Sequence, residues 1–549
     1  MKLALILLGF GAVALVAGLV QWRDKSGRAG VKASVRIAAA ICVLLALVVI
    51  CAFWVHGKRG DHLWSRVQGY RLRLGSKWRV FAETHRRKVL LEELRHKYIR
   101  SYSNPSPASF PIKASPNGRY FVGRDNVPVL IVGDAPMSIV SALTPTQQNT
   151  YFDDRQAHGF NALWINLLCA DYTGCKASGK TYDNVAPFTS GTSPADYDLS
   201  TPNDAYFSEY DAAVASAASY GMLIFLDPIE TGSWLVTLRK NGATKAFKYG
   251  VYVGNRYKNF PNIVWLHGND YGCGSSAADD TLMAQVMAGI ASVDSNHLQT
   301  VEAGSGTYVP GGDAHAWSNM CASFVPFIGA DLAYTWAPTY DVVLNAYRSS
   351  PRVPVFLGEG NYEFENLSGA FPGTTGAYIL RMTAYWALTS GAAGYLYGNR
   401  YVWTSLWPSY GNLDSPGAAQ IPYINTLFTA IDWWNLVPDQ THVVVTGGYG
   451  TYTTGNSDFY KNTYCSTAWI TDGTASLTYC PNHTTLTVAM KKFSGPITAR
   501  WYDPSSGMFQ PIVGSPFNNT GTHQFAMPGR NSDGHPDWLL VLTSAHDPS

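Results

Sequence analysis

Between residues 128 and 398 the chain carries eight short apolar runs: "PVLIVGD" (128–134), "NALWINLL" (161–168), "MLIFLD" (222–227), "NIVWLHG" (262–268), "LQTVEA" (298–303), "FIGADLAYT" (327–335), "VPVFLG" (353–358) and "AGYLYG" (393–398). Runs of this length read as buried strands. The segments between them have helical periodicity. In "ADDTLMAQVMAGIASV", Leu282, Val286, Ile290 and Val293 share one face, and Asp279 can cap its start. "LTPTQQ" offers Thr144 as N-cap and Pro145 at the first helical position. Eight such alternations predict an α/β fold, a (β/α)₈ TIM barrel. A doubly wound sheet is the alternative, but no Gly-rich phosphate loop follows any run.

After about residue 440 the period changes. "HVVVTGG", "STAWITDG", "SLTYC", "TLTVAMKKF", "ITARWYD" and "DWLLVLTS" alternate and are parted by Gly, Asn and Asp turns, which predicts an all-β sandwich. At the other end, Leu3–Val20 and Ile37–Val55 are uncharged and each is about long enough to span a bilayer, so a transmembrane helical hairpin is expected. The pattern divides the chain into two transmembrane helices (1–56), a basic juxtamembrane segment with a Pro/Ser linker (57–118), the barrel (119–437) and the β-sandwich domain (438–549).

Charge adds one asymmetry: residues 57–100 hold 13 Lys/Arg against 4 Asp/Glu. No nucleic-acid motif accompanies them, so anionic lipid headgroups are the expected partner and nucleic acid is not. Six of the eight cysteines fall as Cys169/Cys175, Cys273/Cys321 and Cys465/Cys480, a spacing that fits disulfides and an oxidising, extracytoplasmic location for the large domain. No CxxC pair with metal-like spacing occurs, and neither a metal nor an organic cofactor is expected. The absence of a GxSxG elbow disfavours an esterase.

Ligands of a parallel barrel bind at the C-terminal ends of its strands. The polar residues standing there are Asp134, Asn166, Asp227, Asn269–Asp270, Glu302, Tyr334, Glu359 and Tyr397. Strands four and seven lie three apart on a ring of eight, so Asp270 and Glu359 face one another across the mouth. Two opposed carboxyl groups are what glycoside cleavage requires. Tyr362 can donate to Glu359. Asp134 reads equally as a structural or a sugar-binding acid, and Asp227 and Glu230 stay open in the same way. Glu363 reads as a supporting or sugar-binding residue. Trp336, Tyr397, Asn399 and Trp403 divide between stacking on a sugar and packing in the core.

The blocks "VLIVGDAPMSI", "HGFNALWINLL", "NIVWLHGND", "PVFLGEGNYE" and "RMTAYWALTSGAAGYLYGNRYVW", followed by "WYDPSSGMFQ" and "DWLLVL", resemble the apiosidase-like glycoside hydrolases, a retaining TIM-barrel family with a C-terminal β-domain of collagen-binding type. The resemblance implies Asp270 as general acid/base and Glu359 as nucleophile. Asp134, Asn166, Asn269, Trp336, Tyr362, Glu363, Tyr397, Asn399 and Trp403 are then the expected substrate-binding set. Glu302 departs from the family's usual polar residue at strand five. The expected function is a membrane-anchored retaining glycosidase acting on a glycan side-chain or terminal sugar. A non-catalytic carbohydrate-binding protein at the cell surface is the alternative.

Overall fold

The structure, a computed structural model, describes residues 109–304, 315–365, 375–454 and 461–544. Eight parallel strands form its centre: β1 (Ile131–Asp134), β2 (Ala162–Asn166), β3 (Leu223–Asp227), β4 (Ile263–Tyr271), β5 (Gln299–Ala303), β6 (Asp331–Thr335), β7 (Val355–Glu359) and β8 (Gly394–Tyr397). Their order in the sheet is 5-4-3-2-1-8-7-6. The strands are buried on both faces, which is why they read as continuous apolar runs. Phe225 of β3 and Phe356 of β7, four strands apart, stack with ring centroids 4.8 Å apart. Such a contact is possible only if the sheet curls on itself.

Crossover helices wrap it: α1 (Pro145–Ala157), α2 (Asp204–Ser219), α3 (Thr231–Tyr257), α4 (Ala277–Ala291), α5 (Thr339–Arg348), α6 (Ala377–Thr389) and α7 (Pro416–Thr429). Thr144 caps α1 in a capping box with Gln147, and Pro145 opens the helix, as the sequence predicts. The start of α4 differs. Ser276 is its cap, accepting from the Asp279 amide, while the Asp279 carboxylate binds Arg239 at 2.7 and 2.8 Å.

The expected regular (β/α)₈ barrel with a transmembrane hairpin is corrected at three points. No α-helix follows β5 among the described residues. The returning chain contributes a short strand, His315–Trp317, antiparallel to β6, and two 3₁₀ turns. Pro326 lies within the second turn and Cys321, just after the first, is tied to Cys273, so this stretch is held against β4 rather than wound into a helix. Among the described residues no strand ladder closes the barrel. Between β5 and β6 the described pairing is a single bridge, Gln299 to Ile328. Finally, both proposed membrane spans and the basic segment lie outside the described residues, and no described helix is long and apolar enough to cross a membrane.

The C-terminal part consists of a six-stranded and a three-stranded antiparallel sheet. It docks on α6 through Arg381, which is 2 % exposed and binds Asp537 at 2.9 and 3.0 Å, Asp533 at 2.7 Å and Gln420 at 2.7 Å. The three disulfides form as the cysteine spacing suggests: Cys169–Cys175, Cys273–Cys321 and Cys465–Cys480.

Candidate active site

The site is built around an irregularity at the end of β4. Gly268, Asn269 and Asp270 have φ of +115°, +62° and +59°, three left-handed residues in a row, and the pairing with β5 slips between His267 and Tyr271. Glycine adopts such a backbone freely, and Asn and Asp tolerate it at about 1 kcal/mol each. The bulge turns Asp270 out of the strand's alternation and into the mouth. Three neighbours hold it there. Thr231 Oγ1 donates to the Gly268 carbonyl at 2.7 Å, Asn166 Nδ2 donates to Asn269 Oδ1 at 3.0 Å, and the Asp270 amide donates to the Glu302 carboxylate.

Glu359 ends β7 and is 6 % exposed. Burial pushes its carboxyl well above the usual range, and the nearby Asp270 charge pushes the same way. Asp270 is likewise raised, chiefly by burial. The Tyr334 hydroxyl, at the tip of β6, lies within reach of both carboxyls and favours their ionised forms. Tyr362 faces Glu359 and also favours its charge, although its hydroxyl falls short of a full hydrogen bond. Glu302, fully buried, is raised well above the usual range by burial, then by Asp270 and Glu359. Three carboxyls in one dry pocket cannot all ionise together, so protons are held among them at pH values where free carboxyls have lost theirs.

A further buried acid underlies this rim. Glu230 Oε2 accepts from the Ala170 amide at 2.6 Å, Asn166 Nδ2 at 2.9 Å and Thr173 Oγ1 at 3.3 Å. Burial raises its carboxyl to about 7. Asn166 thus ties Glu230 and Asn269 together.

The remaining expected residues separate into two groups. Asn166, Asn269 and Tyr362 surround the acid pair. Trp336 is partly exposed beyond β6 and packs edge-on against Tyr334 at 6.0 Å, and Trp403 donates its indole N–H to Glu365 at 2.6 Å. By contrast Asp134 is fully buried behind the mouth. Its carboxylate is engaged by Arg155 at 2.6 Å, Tyr151 at 2.7 Å and the Ala135 amide at 2.7 Å. Glu363, Tyr397 and Asn399 form a buried knot. Glu363 accepts from the Tyr397 hydroxyl, from Ser415 at 2.6 Å and from the Gly417 amide at 2.8 Å, while Asn399 Nδ2 donates to Tyr397 at 3.0 Å. These residues brace the loops after β7 and β8 and have no free polar edge for a sugar. Tyr334 and Glu302 stand at strand tips in the sequence but only their burial beside Asp270 reveals their part. Tyr172, between two cysteines, carries no sequence signal.

Among the described residues one group has metal-like spacing: Asp154, His158 and Asp414, whose ligand atoms lie within 4.8 Å of one another. Arg155 already occupies the Asp154 Oδ1 position at 2.6 Å, and His158 bridges the two acids, so the trio is an ion-pair cluster.

The structure is similar to that of a glycoside hydrolase, with a TM-score of 0.67 at 19 % identity over 81 % of this chain and 99 % of the other. It is also similar to a glycoside hydrolase family 5 protein from Bacteroides vulgatus, with a TM-score of 0.66 at 19 % identity over 81 % and 95 %. No curated relative matches the sequence. A domain profile named for collagen binding in a collagenase matches residues 456–543. The profile of the apiosidase-like catalytic domain matches residues 115–435, more than half of the chain. The chain therefore belongs to the apiosidase-like family and is a glycoside hydrolase.

Proposed function

We propose that the protein is a retaining glycosidase that removes a terminal or side-chain sugar from a glycan, with Glu359 as nucleophile and Asp270 as general acid/base. The reading rests on one observation: both carboxyls approach the same Tyr334 hydroxyl. Two carboxyls around one hydroxyl fit the close pairing of retaining enzymes, in which one acid is the nucleophile. The division of roles follows the family resemblance of the strand-four and strand-seven blocks, with the strand-seven carboxyl attacking and the strand-four carboxyl carrying the proton. In the first step a Glu359 oxygen bonds to the anomeric carbon as the bond to the leaving oxygen breaks, and Asp270 gives that oxygen its proton. Asp270, now ionised, then takes a proton from water. The water oxygen displaces Glu359 and releases the sugar with its original anomeric configuration. Apiose is the first sugar to test, given the family.

The three disulfides support action in an oxidising, extracytoplasmic compartment. The test uses the full chain on apiose-bearing pectic oligosaccharides and on a panel of aryl glycosides. Asp270→Asn and Glu359→Gln each lose at least about a thousandfold in kcat and keep the wild-type melting temperature. Near-wild-type turnover by either variant on a substrate that the wild type cleaves refutes the assignment.

A further inference from the structure

We infer that the Tyr172 ring is a stacking platform for a sugar ring of the bound glycan, at the rim of the mouth beside Asp270. The inference rests on the glycosidase reading above and adds a subsite to it.

Tyr172 lies in the loop after β2, which the Cys169–Cys175 disulfide closes. Tyr172 is 43 % exposed, so ring surface is open to a ligand. Its hydroxyl end is the buried part. It sits on Gly232, where a Cβ would stand 3.0 Å from Tyr172 Oη, next to Thr231, whose hydroxyl donates to the Gly268 carbonyl at 2.7 Å and the Asn269 carbonyl at 3.3 Å; burial, and then the charges of Glu230 and Asp270, make its proton hard to remove. The polar tip therefore lies at the start of α3, beside the Gly268–Asp270 bulge, while ring surface stays open. One ring edge lies on α3: a Cβ at Gly232 would sit 2.3 Å from Tyr172 Cε1, so glycine there gives the ring its seat. The loop is braced on both sides. Trp234 Nε1 donates to the Cys169 carbonyl at 3.1 Å and Ser233 Oγ to Asp171 at 3.0 Å. A rigid, half-exposed aromatic face beside a hydrolytic acid matches the apolar C–H face of a sugar ring, since an amphipathic aromatic with a restrained side chain binds at low entropic cost.

The test separates binding from cleavage. Retention of the Glu359→Gln protein in native gels containing soluble branched pectin reports binding alone, and kcat and KM are measured on the same pectin in the Glu359 background. Tyr172→Ala weakens retention and raises KM about tenfold, and Tyr172→Phe and Tyr172→Trp, which keep a ring, recover most of the affinity. Unchanged retention in Tyr172→Ala overturns the inference. So does a Tyr172→Phe protein as weak as Tyr172→Ala with a lowered melting temperature, because the hydroxyl would then act by holding the loop. So does a Glu359→Gln protein that pectin does not retain at all. Weaker retention in Tyr172→Ala with no wild-type cleavage would support the platform and refute only the hydrolytic assignment. Cleavage with unchanged Tyr172→Ala retention would do the reverse.

Discussion

Glu230→Gln gives a prediction whose size follows from the structure. Glu230 is fully buried, and its carboxyl rises from 4.5 in the unfolded chain to about 7 in the folded one. Burial is the main cause, so the folded state prefers the protonated acid. The stability this gives is complete below pH 4.5 and is lost as pH climbs to about 7. At about 1.4 kcal/mol per unit, the charged form costs the fold about 3 kcal/mol above pH 7. Glutamine keeps an oxygen for the Ala170, Asn166 and Thr173 donors and carries no charge. The variant is therefore close to wild type in stability at pH 4.5 and about 3 kcal/mol more stable at pH 7.5. For a unit of about 320 residues that is a rise of about 4–5 °C in melting temperature. Differential scanning calorimetry at the two pH values measures it. A variant with the same advantage at both, or one less stable than wild type at pH 7.5, would show that Glu230 is an ionised, well-compensated carboxylate and would refute the reasoning.

Three further outcomes follow from the same geometry. Asn166→Ala frees both Asn269 and Glu230, so kcat falls about 10–100-fold, in line with the cost of misplacing a catalytic group by about 1 Å, while KM changes little; steady-state kinetics checks the split. Glu302→Gln keeps an acceptor for the Asp270 amide and retains far more activity than Glu302→Ala, which leaves the bulge unanchored; equal losses in the two would show that the Glu302 charge itself is required. Arg381→Met leaves Asp537 buried and unpaired, costing about 3–5 kcal/mol in denaturant unfolding, and adding Asp537→Asn restores part of that loss. A second substitution that only adds its own cost would contradict the ion-pair account.

The barrel strands were legible because burial on both faces leaves them as continuous apolar runs, and α1 because Thr144 and Pro145 mark its start. The short strand at His315–Trp317, found among the described residues where a crossover helix is expected after β5, was not, because it is set by its pairing with β6, a tertiary contact without a local pattern. Within the site, the strand-tip rule picks out Asp270 and Glu359 but does not separate them from Asp134, which ends its strand in the same way. What distinguishes Asp134 is Arg155, one helix away, whose guanidinium engages it. The left-handed backbone at Asn269 and Asp270 leaves only the faint trace of "GND", residues that tolerate it. Glu363 and Tyr397 read as sugar ligands in sequence because polar aromatic and acidic residues serve both roles; in the fold they are buried and hydrogen-bond to each other.

The central claim is that Glu359 forms a covalent bond to the sugar while Asp270 handles the proton. The most direct measurement is azide rescue of Glu359→Ala and Asp270→Ala on an aryl glycoside that the wild type cleaves, with the anomeric configuration of the glycosyl azide read by NMR. The account predicts an inverted azide product from Glu359→Ala, where azide takes the place of the nucleophile, and a retained one from Asp270→Ala, where azide attacks the glycosyl-enzyme. The same configuration from both variants, or the two swapped, would contradict it.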